Sequence, residues 1–121
     1  MKNYLQKIVL AMIFAVCSNN GNATDAYIGN LSIQWIRNVG DYSTGTVYDN
    51  TIELWFTTPV TFPANLNCPT TYRVYIDSKN KHLVAAAYLA YVNNMKVGIN
   101  ADSNLPIRQG ACELSFLDIT K

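Results

Sequence analysis

Between residues 31 and 119 apolar and polar positions mostly alternate with a period of two, and the rhythm breaks once for a helix. LSIQWIRNV (31–39) puts Leu31, Ile33, Trp35 and Val39 on one face and Ser32, Gln34 and Asn38 on the other, which predicts a half-buried strand. GDYSTG (40–45) is turn chemistry. TVYDNTIELWF (46–56) predicts a second strand, with Tyr48, Ile52, Leu54 and Phe56 on one side and Val47, Asp49, Thr51, Glu53 and Trp55 on the other. Pro59, Pro63 and Pro69 break residues 57–69 into a loop, and TTYRVYID (70–77) is a third strand rich in β-formers. Asp77 or Ser78 can cap a helix over 79–94, which ends at the pair Asn93–Asn94. KVGIN (96–100) is a short fourth strand, 101–110 a polar loop, and ACELSFLDI (111–119) a fifth strand.

The order β-β-β-α-β-β is that of the OB-fold, a small five-stranded Greek-key barrel with one helix. In that barrel the third strand runs beside the fifth and parallel to it. An open α+β sheet crossed by one helix fits the same order of elements.

The helix has no charged residue from Leu83 to Val92. Val84, Tyr88, Tyr91 or Val92, and Met95 form one apolar stripe, widened by Leu83, Ala87 and Ala90, and this face is expected to plug the barrel. The opposite face carries His82, Ala85, Ala86, Leu89 and Asn93. Alanine is the best helix former and tolerates water, so this face reads either as plain solvated helix or as a contact with another subunit.

The N-terminus changes the picture. Lys2 and Lys7 precede the apolar run Ile8–Val16, and Gly21 and Ala23 are the small residues a signal peptidase needs before Thr24. Residues 1–23 are therefore expected to be a secretory signal peptide, with 24–121 as one domain of 98 residues in a secreted or periplasmic protein. The rival is a lipoprotein signal with Cys17 lipidated. No later stretch is long and apolar enough to span a bilayer, so no stable membrane insertion is expected. Cleavage after Ala23 leaves Cys68 and Cys112 as an even pair in an oxidising compartment, read as a disulfide. A cysteine metal site would lack partners, because His82 is the only histidine, and no cofactor is expected. Without Lys2 and Lys7 there are seven basic and eight acidic side chains, which is no electrostatic footprint for nucleic acid.

Secretory leader, small OB-type barrel, one cysteine pair, and YIDSKNKHLVAAAYLAYVNNMKV (75–97) leading into a strand together resemble the B subunits of bacterial AB5 toxins, in their subtilase-cytotoxin and pertussis-like branch. The resemblance implies a homopentameric ring with its helices around a central pore, binding host cell-surface glycans and carrying a catalytic A subunit. On that reading Ala85, Ala86 and Leu89 are the oligomer interface. The enterotoxin B subunits place their disulfide differently, so no sugar-binding residue is transferred from them. The alternative is a monomeric periplasmic OB-like protein with a structural or inhibitory role, contacting another protein through its loops.

No catalytic constellation is present. His82 stands near the helix start, where a solvated histidine is ordinary, and Asp77, Asp102, Glu113 and Asp118 lack the paired spacing of glycosidase carboxylates. GDYSTG is not followed by a helix and so is no phosphate loop. The chain is expected to bind and not to catalyse. Sugars are held by a flat aromatic with short polar groups around it. Asp41, Tyr42, Ser43 and Thr44 of the first loop, with Trp55 on the outward face of the second strand, are the candidate glycan contacts. The loop Asp102–Arg108 is the other OB-type binding loop.

Overall fold

The computed structural model describes residues 24–41 and 49–121. The expected leader, Cys17, Tyr42, Ser43 and Thr44 lie outside the described residues. Six strands are present: β1 (Asp25–Leu31), β2 (Ile33–Val39), β3 (Thr51–Phe56), β4 (Arg73–Asp77), β5 (Lys96–Asp102) and β6 (Glu113–Thr120), with one helix, α1 (Lys81–Val92), between β4 and β5. They form one sheet in the order β1-β5-β6-β4-β3-β2.

β1 and β2 stand at opposite edges of that sheet, yet Ser32 alone separates them in the chain. The Ser32 carbonyl accepts from the Thr57 backbone N–H beyond β3, and its hydroxyl accepts from the Lys96 ammonium at the start of β5. The chain itself thus closes the sheet at Ser32. The first strand of the five-stranded order is longer than the sequence suggested and is divided in two. Gly29 and Asn30 look like turn residues and hide β1 from the periodicity; Asn30 has φ 60°, beside an irregularity in the β1–β5 register between Ile28 and Leu31.

β4 and β6 are parallel, with Tyr75 opposite Glu113, as the barrel order requires. Cys68 and Cys112 form the disulfide beside this pairing, with Cα atoms 5.4 Å apart and both residues buried. Leu66 and Ala101 pack around it, so the proline-rich loop 57–72 caps this end of the barrel.

Alternation on β3 and β4 sends Ile52, Leu54, Phe56, Val74 and Ile76 inward, where they meet Val97 and Ile99 of β5 and Leu114 of β6 in one core. The helix closes the core through Leu83, Ala87 and Ala90. Its buried stripe is therefore rotated from the expected one. Val84 and Met95 pack at the core's margin, Tyr88 is half-buried and donates its hydroxyl to Asn38, and Tyr91 and Val92 are exposed. Small side chains win the central positions because they bring the helix axis close to the barrel mouth.

The N-terminus of α1 also differs from expectation. Asn80 is the cap residue and makes no side-chain cap bond; Asp77 instead accepts from the Lys79 N–H at 3.0 Å, and its backbone carbonyl accepts from Asn80. At the other end the Met95 N–H bonds the Ala90 carbonyl and the Asn94 N–H bonds that of Tyr91, with Asn94 at φ 52°. This is a Schellman stop with asparagine in the left-handed position. Asn94→Ala is expected to cost about 1 kcal/mol, since a Cβ without a local hydrogen-bonding group is disfavoured at positive φ. That is a melting temperature about 4–8 °C lower in a domain of this size, read by thermal circular dichroism. Asn94→Gly should leave it unchanged or higher.

Candidate functional site

The site grows from a break in alternation on β2. Ile33 pairs with Phe56, but Trp35 pairs with Trp55, so Gln34 is an extra residue that reverses the phase. Strict alternation put Trp35 on the core face with Ile33. The bulge sends Trp35 outward instead, together with Arg37 and Val39, and brings Ile36 onto the core. Trp55 faces outward from β3 as expected, directly across from Trp35.

The two indoles stack at 4.4 Å between centroids and 14° between planes. Tyr72, at the approach to β4 and half-exposed, continues the row at 5.0 Å from Trp55. The Arg37 guanidinium lies 5.0 Å from the Trp35 ring and 5.5 Å from the Trp55 ring, and that of Arg73 lies 5.5 Å from Trp55. Glu53 organises the cations. Its carboxylate accepts from Arg73 at 3.0 Å, from Arg37 at 3.2 Å and from the Trp55 indole N–H at 3.2 Å. The Arg37 side chain is 50% exposed, whereas Arg73 and Glu53 are at 10% and 7%. Arg37 is thus the cation of this group that a ligand can reach.

Below this row the sheet is covered. Arg108 and Ala111 exchange backbone hydrogen bonds around Gln109 (φ 45°) and Gly110 (φ 74°), a two-residue turn with both central residues left-handed. A Cβ on Gly110 would stand 3.0 Å from both Pro69 and Thr70, so glycine suits both the dihedral and the space. The turn presses Arg108 over the Tyr75 ring at 4.7 Å and against Asp77 at 3.6 Å, and Gln109 accepts from Arg73 at 3.4 Å. No water-sized space remains between it and Thr51, Glu53, Arg73 and Tyr75. Burial, reinforced by Glu113, pushes the Tyr75 phenol well above its ordinary pKa. Burial also raises Glu113, against the pull of Arg108. At Asp77 burial is outweighed by the Lys79 backbone N–H and by the Lys79 and Arg108 charges, and its pKa falls.

No protein-family model, curated protein or solved structure matches the chain.

Of the expected glycan contacts, Asp41 and Trp55 lie among the described residues. Asp41 is exposed beyond the end of β2, past the Val39–Thr51 pair, while Trp55 lies four residues from that pair along β3. Among the described residues Trp55 keeps company with Trp35, Arg37, Tyr72 and Arg73. Asp102 and Asn104 make a local turn, the Asp102 carboxylate accepting from the Asn104 N–H, and Arg108 is spent on Tyr75 and Asp77. A shallow depression of about 460 Å³ on loop 57–72, lined by residues such as Phe62, Leu66 and Pro69, has no charged side chain in its wall. The helix face holds Ala85 exposed, Ala86 half-buried and Leu89 55% exposed, and the rotation adds Val92 at 73%.

Proposed function

We propose that the chain is an extracytoplasmic glycan-binding protein of the AB5 B-subunit type, which assembles as a homo-oligomeric ring and presents several copies of one sugar site in a plane. The observation that carries this reading is the outer face of α1. Ala85, Leu89 and Val92 recur at i, i+4 and i+7, which is the spacing of a buried stripe, on a helix whose other side already packs on the barrel. A helix apolar on two sides has a second surface to cover, and neighbouring copies of the same helix around an axis would cover it. The disulfide, and the absence among the described residues of any helix able to cross a membrane, suit a secreted or periplasmic protein.

Within each copy the Trp35–Trp55–Tyr72 row with Arg37 supplies aromatic surface and a reachable donor for a sugar. Several weak sites in one ring multiply affinity without new contacts. A catalytic A subunit would be carried by the ring.

Light scattering behind a sizing column tests the assembly. The mature chain 24–121 is expected to run as a pentamer and Leu89→Glu as a folded monomer, because a carboxylate cannot be buried unpaired in an apolar contact. A wild-type monomer would favour the structural or inhibitory OB-like alternative. Trp55→Ala is expected to weaken signal on a glycan array while the ring persists; full signal would move this sugar site elsewhere.

A further inference from the structure

The face of β1, β5 and β6 carries a second aromatic surface that the reading above does not use. Tyr27 faces outward from β1 beside Asn100 of β5, which pairs in turn with Phe116 of β6. The Tyr27 ring leans across β5 onto Gly98, where a Cβ would overlap its hydroxyl and stand 2.6 Å from Cζ. Gly29 lies under the same ring, its virtual Cβ at 3.5 Å. Two glycines on neighbouring strands thus let the phenol lie down along the sheet, with its other face to water at 53% exposure. Phe116, 43% exposed, is close to parallel with it at 23°, with centroids 6.0 Å apart.

Around the two rings are hydrogen-bonding groups. Burial and the neighbouring Asp118 carboxylate raise the Tyr27 phenol above its ordinary pKa. Asn100, almost fully buried, donates to Asp25 at 2.9 Å and to Ser115 at 2.7 Å, holding two exposed polar side chains at the margin. Asp25, Asp102 and Asp118 face outward here against Lys96, so the field repels anions.

We propose that Tyr27 and Phe116 form a platform for a neutral pyranose, which lays its C–H face on the rings and offers hydroxyls to Asp118, Asp25 and Ser115. Flat aromatic surface meets the apolar face of the sugar, and carboxylates are strong acceptors for its hydroxyls. A second protein fits the patch poorly. Two half-exposed rings offer on the order of 200 Å² of apolar surface, against about 800 Å² per partner in a stable interface. The inference shares its ligand class with the proposed function but neither its residues nor its dependence on assembly.

Saturation-transfer NMR with methyl β-galactopyranoside, on the intact mature chain, tests it. Transfer to sugar H3, H4 and H5 is expected with the wild type, and clearly reduced transfer in Tyr27→Ala and in Phe116→Ala, with the melting temperature recorded for each. Two variants are used so that an unfolded one leaves the other to decide. Methyl β-glucuronide, which adds a carboxylate, is expected to show less transfer than methyl β-glucopyranoside. Trp55→Ala separates the two sites. Loss there with retention in Tyr27→Ala and Phe116→Ala would overturn the platform and leave the Trp35–Trp55 site standing. Transfer from the wild type that survives all three changes, or no transfer at all, would also overturn the platform. Concentration-dependent self-association abolished by Tyr27→Ala, without sugar transfer, would replace it with a protein contact.

Discussion

Replacing Cys68 and Cys112 together by alanine is expected to lower the unfolding free energy by roughly 4 kcal/mol, because the bond closes a loop of 44 positions in the unfolded chain. That is a large share of the 5–15 kcal/mol that holds a typical domain. The structure adds a local reason. The bond lies beside the β4–β6 pairing, the parallel contact of the sheet, where only Tyr75 and Glu113 are in register. It also anchors Leu66 and Ala101 at the capped end of the barrel. Urea denaturation of the double variant against the oxidised wild type reads the loss, and both cysteines must go so that no free thiol remains. A loss below about 1 kcal/mol would show that packing alone holds the seam.

The second large effect concerns Glu53. Glu53→Ala is expected to destabilise the domain by about 3–5 kcal/mol, since it strands the Arg73 guanidinium, 10% exposed and with no hydrogen-bond partner at Nε, beneath the Arg108–Ala111 turn. The Trp55 indole N–H loses its acceptor as well. Removing both charges separates the net worth of the pair from the cost of orphaning one. Glu53→Leu with Arg73→Leu is expected to lie within about 1–2 kcal/mol of wild type, because replacing a buried ion pair by apolar side chains is often close to neutral. A Glu53→Ala loss of under about 1 kcal/mol would mean that water reaches Arg73.

Part of this architecture is legible in the sequence, and the failures have separate causes. The alternation of Ile52, Leu54 and Phe56 against Thr51, Glu53 and Trp55 reads correctly because β3 is regular along its described length. The disulfide and the parallel pairing of β4 with β6 support one another from the sequence onward. Alternation puts Trp35 on the wrong face because one bulged residue, Gln34, reverses every side chain after it, and nothing in the local composition marks a bulge. β1 is not legible in the sequence because Gly29 and Asn30 signal a turn, where the fold uses the glycine to seat Tyr27. The helix is legible but its rotation is not, since with no charge between Leu83 and Val92 water has no marked side. Tyr72 and Arg73 join Trp55 only through the course of loop 57–72, whose path prolines and polar residues leave unspecified.

The closure at Ser32 bears on how the chain folds. β2, β3 and β4 form an antiparallel meander from chain neighbours, and β5 with β6 forms a hairpin. Each can assemble from contacts that are close in sequence. Joining the two units requires β1 to find β5, bringing residue 25 to residue 102, and β4 to find β6, so the entropy of closing long loops falls on this docking step. Ser32 ties the two requirements together, for when β1 aligns on β5 the chain has already delivered the edge of β2. Aligning β1 on β5 and seating β2 on β3 are therefore coupled through the one residue that joins them, and the Cys68–Cys112 bond lies at the other long-range pairing, β4 with β6.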